Sequence, residues 1–141
     1  MIKNHQAIIV KAAVREHPNA DRLKIANVLG IDVIVGQDTK DGDIGIFFPE
    51  GTQLSEEYAR ENDCIRRKDA DGNRAGGMFD PNRRVRVMRL RGSESEGYFA
   101  PLSSLNYLPA KLIRGLKPGH SFSKLGNHEI CRKYDRDWET I

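Results

Sequence analysis

The chain predicts an all-β domain, a barrel or a sandwich: four or five short strands, turn signals about every ten residues, and room for one small helix. Ala7 to Val14 (AIIVKAAV) is apolar and β-compatible. It closes at His17-Pro18-Asn19-Ala20-Asp21, where proline fixes φ and Asn and Asp accept tight geometry. Asp21 is expected to take a local backbone hydrogen bond there. Leu23 to Val28 and Ile31 to Val35 flank Leu29-Gly30, the spacing of a two-residue hairpin with glycine supplying positive φ. Ile31, Val33 and Val35 alternate onto one face, and Ile44, Ile46 and Phe48 do the same after the turn Asp38 to Asp43.

The remaining elements are less regular. Ser55 followed by Glu56 and Glu57 reads as a helix cap with acids that complement the macrodipole, so a short helix is expected over Ser55 to Glu61. Asp63 to Asn82, with Gly72, Gly76, Gly77 and Pro81 among many charges, reads as a long mobile loop. Arg83 to Gly92 (RRVRVMRLRG) is the fifth strand candidate, with Val85 and Val87 on one face and Met88 and Leu90 on the other. A β-bulge or bend near Val87-Met88 accounts for that change of parity, and so does a strand partly buried on both faces. Gly97 to Leu102 can add a short strand, and Leu105 to Leu116 a helical or irregular segment ended by Lys117-Pro118-Gly119-His120. Cys131 to Ile141 is polar and aperiodic, the pattern of a linker.

The length of 141 residues suits about one domain, and 38% hydrophobic with 30% charged residues suits a soluble globular chain. No apolar run approaches the roughly 20 residues that span a bilayer, and the start carries no signal-peptide core, so a cytoplasmic protein without a membrane partner is expected. Cys64 and Cys131 have no CxxC partner and read as free thiols. His5, His17, His120 and His128 show neither HxH nor HExxH spacing, so no metal site is expected. Asp69-Ala70-Asp71-Gly72-Asn73 has its glycine too early for a calcium loop and reads as a solvated turn. GxSxG, P-loop and GxGxxG motifs are absent.

Charge is uneven. Met1 to Ala59 holds six Lys/Arg against nine Asp/Glu, whereas Arg60 to Arg91 holds ten against five. Arg83, Arg84, Arg86, Arg89 and Arg91 lie on one candidate strand, preceded by Arg66, Arg67, Lys68 and Arg74. Such density repels itself unless an anion relieves it, and guanidinium groups bind phosphates bidentately and stack on bases, which points to a nucleic-acid backbone. The alternative is a strand edge charged against aggregation. Tyr98, after Gly97, is the candidate stacking surface.

Two family resemblances follow. His17-Pro18-Asn19-Ala20-Asp21-Arg22-Leu23, with Val35-Gly36, Lys40-Asp41-Gly42-Asp43 and Glu50-Gly51-Thr52-Gln53-Leu54, resembles the tRNA-binding OB domains of the EMAP II type over about the first 55 residues. Nearly the whole chain is similar to the N-terminal OB domain of the Deinococcus-type RNA ligases. That likeness rests on Ile46-Phe47-Phe48-Pro49-Glu50-Gly51-Thr52-Gln53-Leu54, Arg86 to Tyr98, Leu116-Lys117-Pro118-Gly119 and Arg132-Lys133-Tyr134.

The ligase resemblance implies a five-stranded OB-type Greek-key barrel with one short helix and a C-terminal extension. Residues 1–126 would form the nucleic-acid-binding domain and 127–141 a linker or the start of a nucleotidyltransferase domain. It also implies that the chain orients RNA or a nicked duplex for end sealing by an ATP-dependent catalytic domain in cis or trans. Such ligases attack ATP with the lysine of a Lys-x-Asp-Gly motif, which is absent: Lys40-Asp41-Gly42 is one residue short and Lys68-Asp69-Ala70-Asp71-Gly72 one too long. This chain alone is therefore not expected to be catalytic or to hold a cofactor, and ATP and Mg are implied for the missing domain. The alternatives are an EMAP II-like tRNA-binding module and a non-catalytic interaction domain.

Overall fold

A computed structural model describes residues 5–135. Alternation along the first run buries both of its faces, because the strand lies between two cores. β1 (Ala7–Lys11) and β2 (Ala13–Glu16) are one path bent at Ala12, whose N–H donates to Asp43 O and whose carbonyl accepts from Gly42 N. β3 (Leu23–Val28) and β4 (Ile31–Gly36) form the expected hairpin, with φ of 52° at Leu29 and 84° at Gly30. β5 (Ile44–Phe48) returns along β1, and β6 (Thr52–Leu54) leads into α1 (Glu56–Glu61). Ser55 caps that helix as its sequence suggests, its Oγ accepting from Tyr58 N at 3.0 Å with Glu56 and Glu57 in the first turn.

Two expectations change in the middle of the chain. The segment read as a mobile loop carries a small hairpin, β7 (Arg67–Lys68) with β8 (Arg74–Ala75). Asp69 Oδ1 closes its tip by accepting from Asp71 N and Asn73 N. A Cβ on Gly77 would sit 2.4 Å from Cys64 O, so glycine permits a close approach here rather than mobility, and Phe79 joins the core behind it. The single fifth strand also divides. Val85 N donates to Thr52 O beside β6, and the chain then leaves for a second hairpin, β9 (Val87–Leu90) with β10 (Ser93–Glu96). Val85 is 1% exposed and Val87 47%, so the parity changes because the segment exchanges one neighbour for another.

β10 continues across Gly97 into β11 (Tyr98–Pro101), followed by a 3-10 turn (Leu102–Leu105) and α2 (Ala110–Ile113). The last strands are β12 (Ser121–Phe122), β13 (Lys124–Leu125), β14 (His128–Glu129) and β15 (Cys131–Lys133). β15 pairs with β6, and Ile130 and Cys131 are fully buried, so the polar run from Cys131 starts inside the fold. Residues 136–141 of the expected extension lie outside the described residues.

The architecture is all-β with two short helices. One sheet has the order β11-β5-β1-β12 and another β2-β3-β4, joined by the bend at Ala12. β4 then faces β10, but among the described residues no ladder joins them; Ile34 N–H donates instead to Ser95 Oγ at 2.9 Å. The barrel is open along that seam. Its interior holds Ile8, Val10, Ala26, Val28, Val33, Val35, Phe47 and Phe99. A second core lies on the outer face of β1 and β5, where Ile9, Ile46 and Phe48 meet Leu54, Tyr58, Val85, Leu105 and Ile130.

Candidate nucleic-acid interface

The five arginines from 83 to 91 share one stretch of sequence but do not share one surface. Arg83, at φ 60°, donates from Nε to Leu54 O at 2.9 Å and lies 3.9 Å from Glu56, its side chain only 19% exposed. Arg84 faces Glu50 at 3.6 Å, and its guanidinium lies 4.9 Å from the centre of the Tyr134 ring. Arg86 binds Asp80 at 2.6 Å. Arg83 and Arg84 thus join the chain to β6 and to the segment after β15, because Arg83 to Val85 runs beside β6.

Arg89 and Arg91 differ. Both are exposed, Arg89 on β9 opposite Glu94 and Arg91 in the two-residue turn with φ 52°. That turn is tied to the first one, since Asn19 Nδ2 donates to Arg91 O at 3.2 Å. A shallow surface groove runs between them, lined by Asn19 to Leu23 and Arg91, with the exposed Arg22 on its side. The local acceptor in the first turn is His17, whose Nδ1 accepts from Asn19 N at 2.9 Å, while Asp21 is exposed. His17 is buried and can hold the turn without contact to solvent. Sequence reasoning missed this brace because a histidine beside Pro18 carries no capping signature.

Tyr98 follows the arginine hairpin across Gly97 and lines a cleft with Arg84, Arg86 and Met88. Its ring stacks on Phe48 with centroids 6.0 Å apart and meets the edge of Phe79 at 4.9 Å. Burial pushes its phenol up to about 12. The ring is partly buried against the outer core, with Phe48 stacked beside it.

Nucleophilic chemistry finds little support. Burial raises the Cys64 thiol to about 11 and the Cys131 thiol to about 12, so both remain protonated near neutrality. Among the described residues no group of three His, Cys, Asp or Glu side chains converges to hold a metal ion, and the ligase lysine motif is missing. The ligase resemblance implies ATP and magnesium for a separate nucleotidyltransferase domain, and no catalytic step is assigned to the residues of this chain. No helix among the described residues is long and apolar enough to cross a membrane.

No known family description matches the chain, and no curated protein matches it. Its fold is similar to that of solved structures of an RNA ligase from Naegleria gruberi. One variant of that enzyme, solved with ATP and manganese, matches over 92% of this chain and 35% of its own, at 21% identity and a TM-score of 0.61. A variant without ligands matches over 94% of this chain and 36% of its own, at 21% identity and a TM-score of 0.62. The chain spans about a third of the length of the ligase structures it matches, and what it shares with them is the fold of that third.

Proposed function

We propose that this chain is the nucleic-acid-binding domain of an ATP-dependent RNA ligase, holding RNA or a nicked duplex for sealing by a nucleotidyltransferase domain in cis or trans. The observation that carries this reading is the match of 94% of the chain to about a third of an RNA ligase. The charge distribution supports it, with Arg89 and Arg91 exposed at the tip of one hairpin and Arg22 beside them. Arg83 and Arg84 contribute less to the free surface, because Glu56 and Glu50 face them and their side chains are 19% and 39% exposed. The domain would supply binding and alignment, which can lower a barrier by several kcal/mol once the reacting groups are held together.

Equilibrium titration of the chain with labelled single-stranded RNA at several salt concentrations tests the proposal. The logarithm of affinity is expected to fall with the logarithm of salt by about 0.7 per phosphate neutralised. Replacing Arg89 and Arg91 together by Ala is expected to flatten that slope by about one to two contacts' worth. The melting temperature should hold, since exposed charges contribute little to stability. An unchanged slope removes the hairpin from the binding surface. Preference for folded tRNA over a nicked duplex would favour the EMAP II-like module, and salt-insensitive indifference to every nucleic acid would sink both.

A further inference from the structure

Asp80 lies between two arginines from different parts of the chain. Its Oδ1 pairs with Arg66 Nη2 and its Oδ2 with Arg86 Nη2. The Asp80 side chain is withdrawn, 19% exposed, while the Arg66 and Arg86 side chains are 60% and 49% exposed. Backbone hydrogen bonds fix Arg66 and Asp80. Arg66 N donates to Phe79 O, Phe79 N to Cys64 O and Arg83 N to Asp80 O, so Asp80 sits in a turn pinned on both sides. Phe79 is in turn anchored edge-on against Tyr98. Beside Asp80 and Arg86 opens a small cleft walled partly by Met78, Val85, Met88 and Tyr98.

We infer that Arg66 and Arg86, braced by Asp80, form a phosphate-binding pair for the nucleic-acid backbone, with Asp80 as the positioning residue. The inference rests on the nucleic-acid reading above and names one of its contact points. Each guanidinium has five N–H donors in a rigid fork, and one shared carboxylate leaves several of them available to a phosphodiester oxygen. The three side chains keep one net positive charge. Holding two long side chains in place before the anion arrives removes much of the ordering cost that binding would otherwise carry.

The brace makes a prediction opposite in sign to simple electrostatics. Removing an acid from a basic surface ordinarily raises affinity for a polyanion. Asp80→Ala should instead lower affinity for single-stranded RNA by about three- to tenfold, the range expected when one or two long side chains must be ordered anew. It should also flatten the salt slope. Arg66→Ala with Arg86→Ala should flatten it by about one to two contacts. Asp71→Asn, an equal change of charge at the β7–β8 tip, should leave affinity the same or slightly higher. Circular-dichroism melts accompany each titration, and Asp80→Asn, which keeps the shape of the side chain, replaces Asp80→Ala if the latter does not fold. Tighter or unchanged binding by the folded Asp80 variant, with the slope intact, overturns the brace and leaves the RNA-binding reading standing. A wild-type chain whose RNA binding is absent or insensitive to salt overturns both.

Discussion

The hairpins β3–β4 and β9–β10 share one turn geometry and differ in almost everything else. Leu29-Gly30 has φ of 52° and 84°, and Arg91-Gly92 has φ of 52° and 84°. In both, glycine occupies the second turn position, and the first tolerates a side chain in the left-handed region at some cost in strain. The first hairpin lines the barrel interior with Ala26, Val28, Val33 and Val35 and ends at Gly36, which has open space around it. The second is made of Val, Met, Arg, Leu, Ser and Glu, and a Cβ at Gly97, next after it, would meet the Phe47 ring and Phe48 O. The backbone is thus set by the turn, while its use is set by what the strands carry. One hairpin is a wall, and the other an arm tied by side-chain hydrogen bonds at Ser95 and at Asn19.

The largest expected effect separates the two glycines that follow these hairpins. A Cβ at Gly97 would sit 2.5 Å from the Phe47 ring and 2.8 Å from Phe48 O, at φ +93°. Overpacking and strain together predict a loss of about 3 kcal/mol or more for Gly97→Ala. At Gly36 nothing lies within 4 Å, so Gly36→Ala should be close to neutral. Urea unfolding of the two variants gives the comparison, and equal stabilities would break it.

A middle-sized effect is expected at the seam. Ser95→Ala removes the acceptor of the Ile34 N–H, in a buried setting, and should cost about 1–3 kcal/mol. Hydrogen exchange at Ile34 should accelerate more than at Val33 or Val35. Unaltered protection there would show that the arm is held by something other than this hydroxyl.

The smallest effect concerns acid. The Arg15 guanidinium first, and the Asn27 amide second, hold the Asp32 carboxyl below the usual carboxylate range. A depressed pKa contributes stability above the unfolded value of about 3.9, and that contribution is lost as pH falls through the lower folded value. Arg15 and Asp32 are 55% and 43% exposed, so the pair is worth less than about 1 kcal/mol. Arg15→Ala should therefore destabilise the chain slightly at pH 7 and not at all near pH 2. A difference that persists in acid would assign the effect of Arg15 to packing.

How much of this could be read beforehand differs between the same two hairpins. Leu29-Gly30 was visible because it separates two short apolar runs, the second of them alternating. Arg91-Gly92 was not, because Ser93-Glu94-Ser95-Glu96 has no apolar partner face and Ser95 is buried for its hydroxyl. The cap at Ser55 was legible as local chemistry. The separate fates of the five arginines were not, since Glu50, Glu56, Asp80 and Tyr134, which meet them, are set by the fold and not by neighbourhood in the chain. The same holds for Cys131, whose burial follows from pairing with a strand some eighty residues earlier.

β6 is the middle of a three-part ribbon. On one side it carries Arg83 to Val85 and on the other β15, and the buried Gln53 reaches both ways, its Nε2 donating to Asn82 O and its Oε1 accepting from Arg132 Nε. Tyr134 N–H adds a last fastening to Gly51 O, with Arg84 over the Tyr134 ring. In mechanical terms this is a tether. Tension applied to the chain at Asp135 reaches β6 within one hydrogen bond and the arginine segment within two, so a body pulling there would tug directly on the neighbours of Arg84 and Arg86.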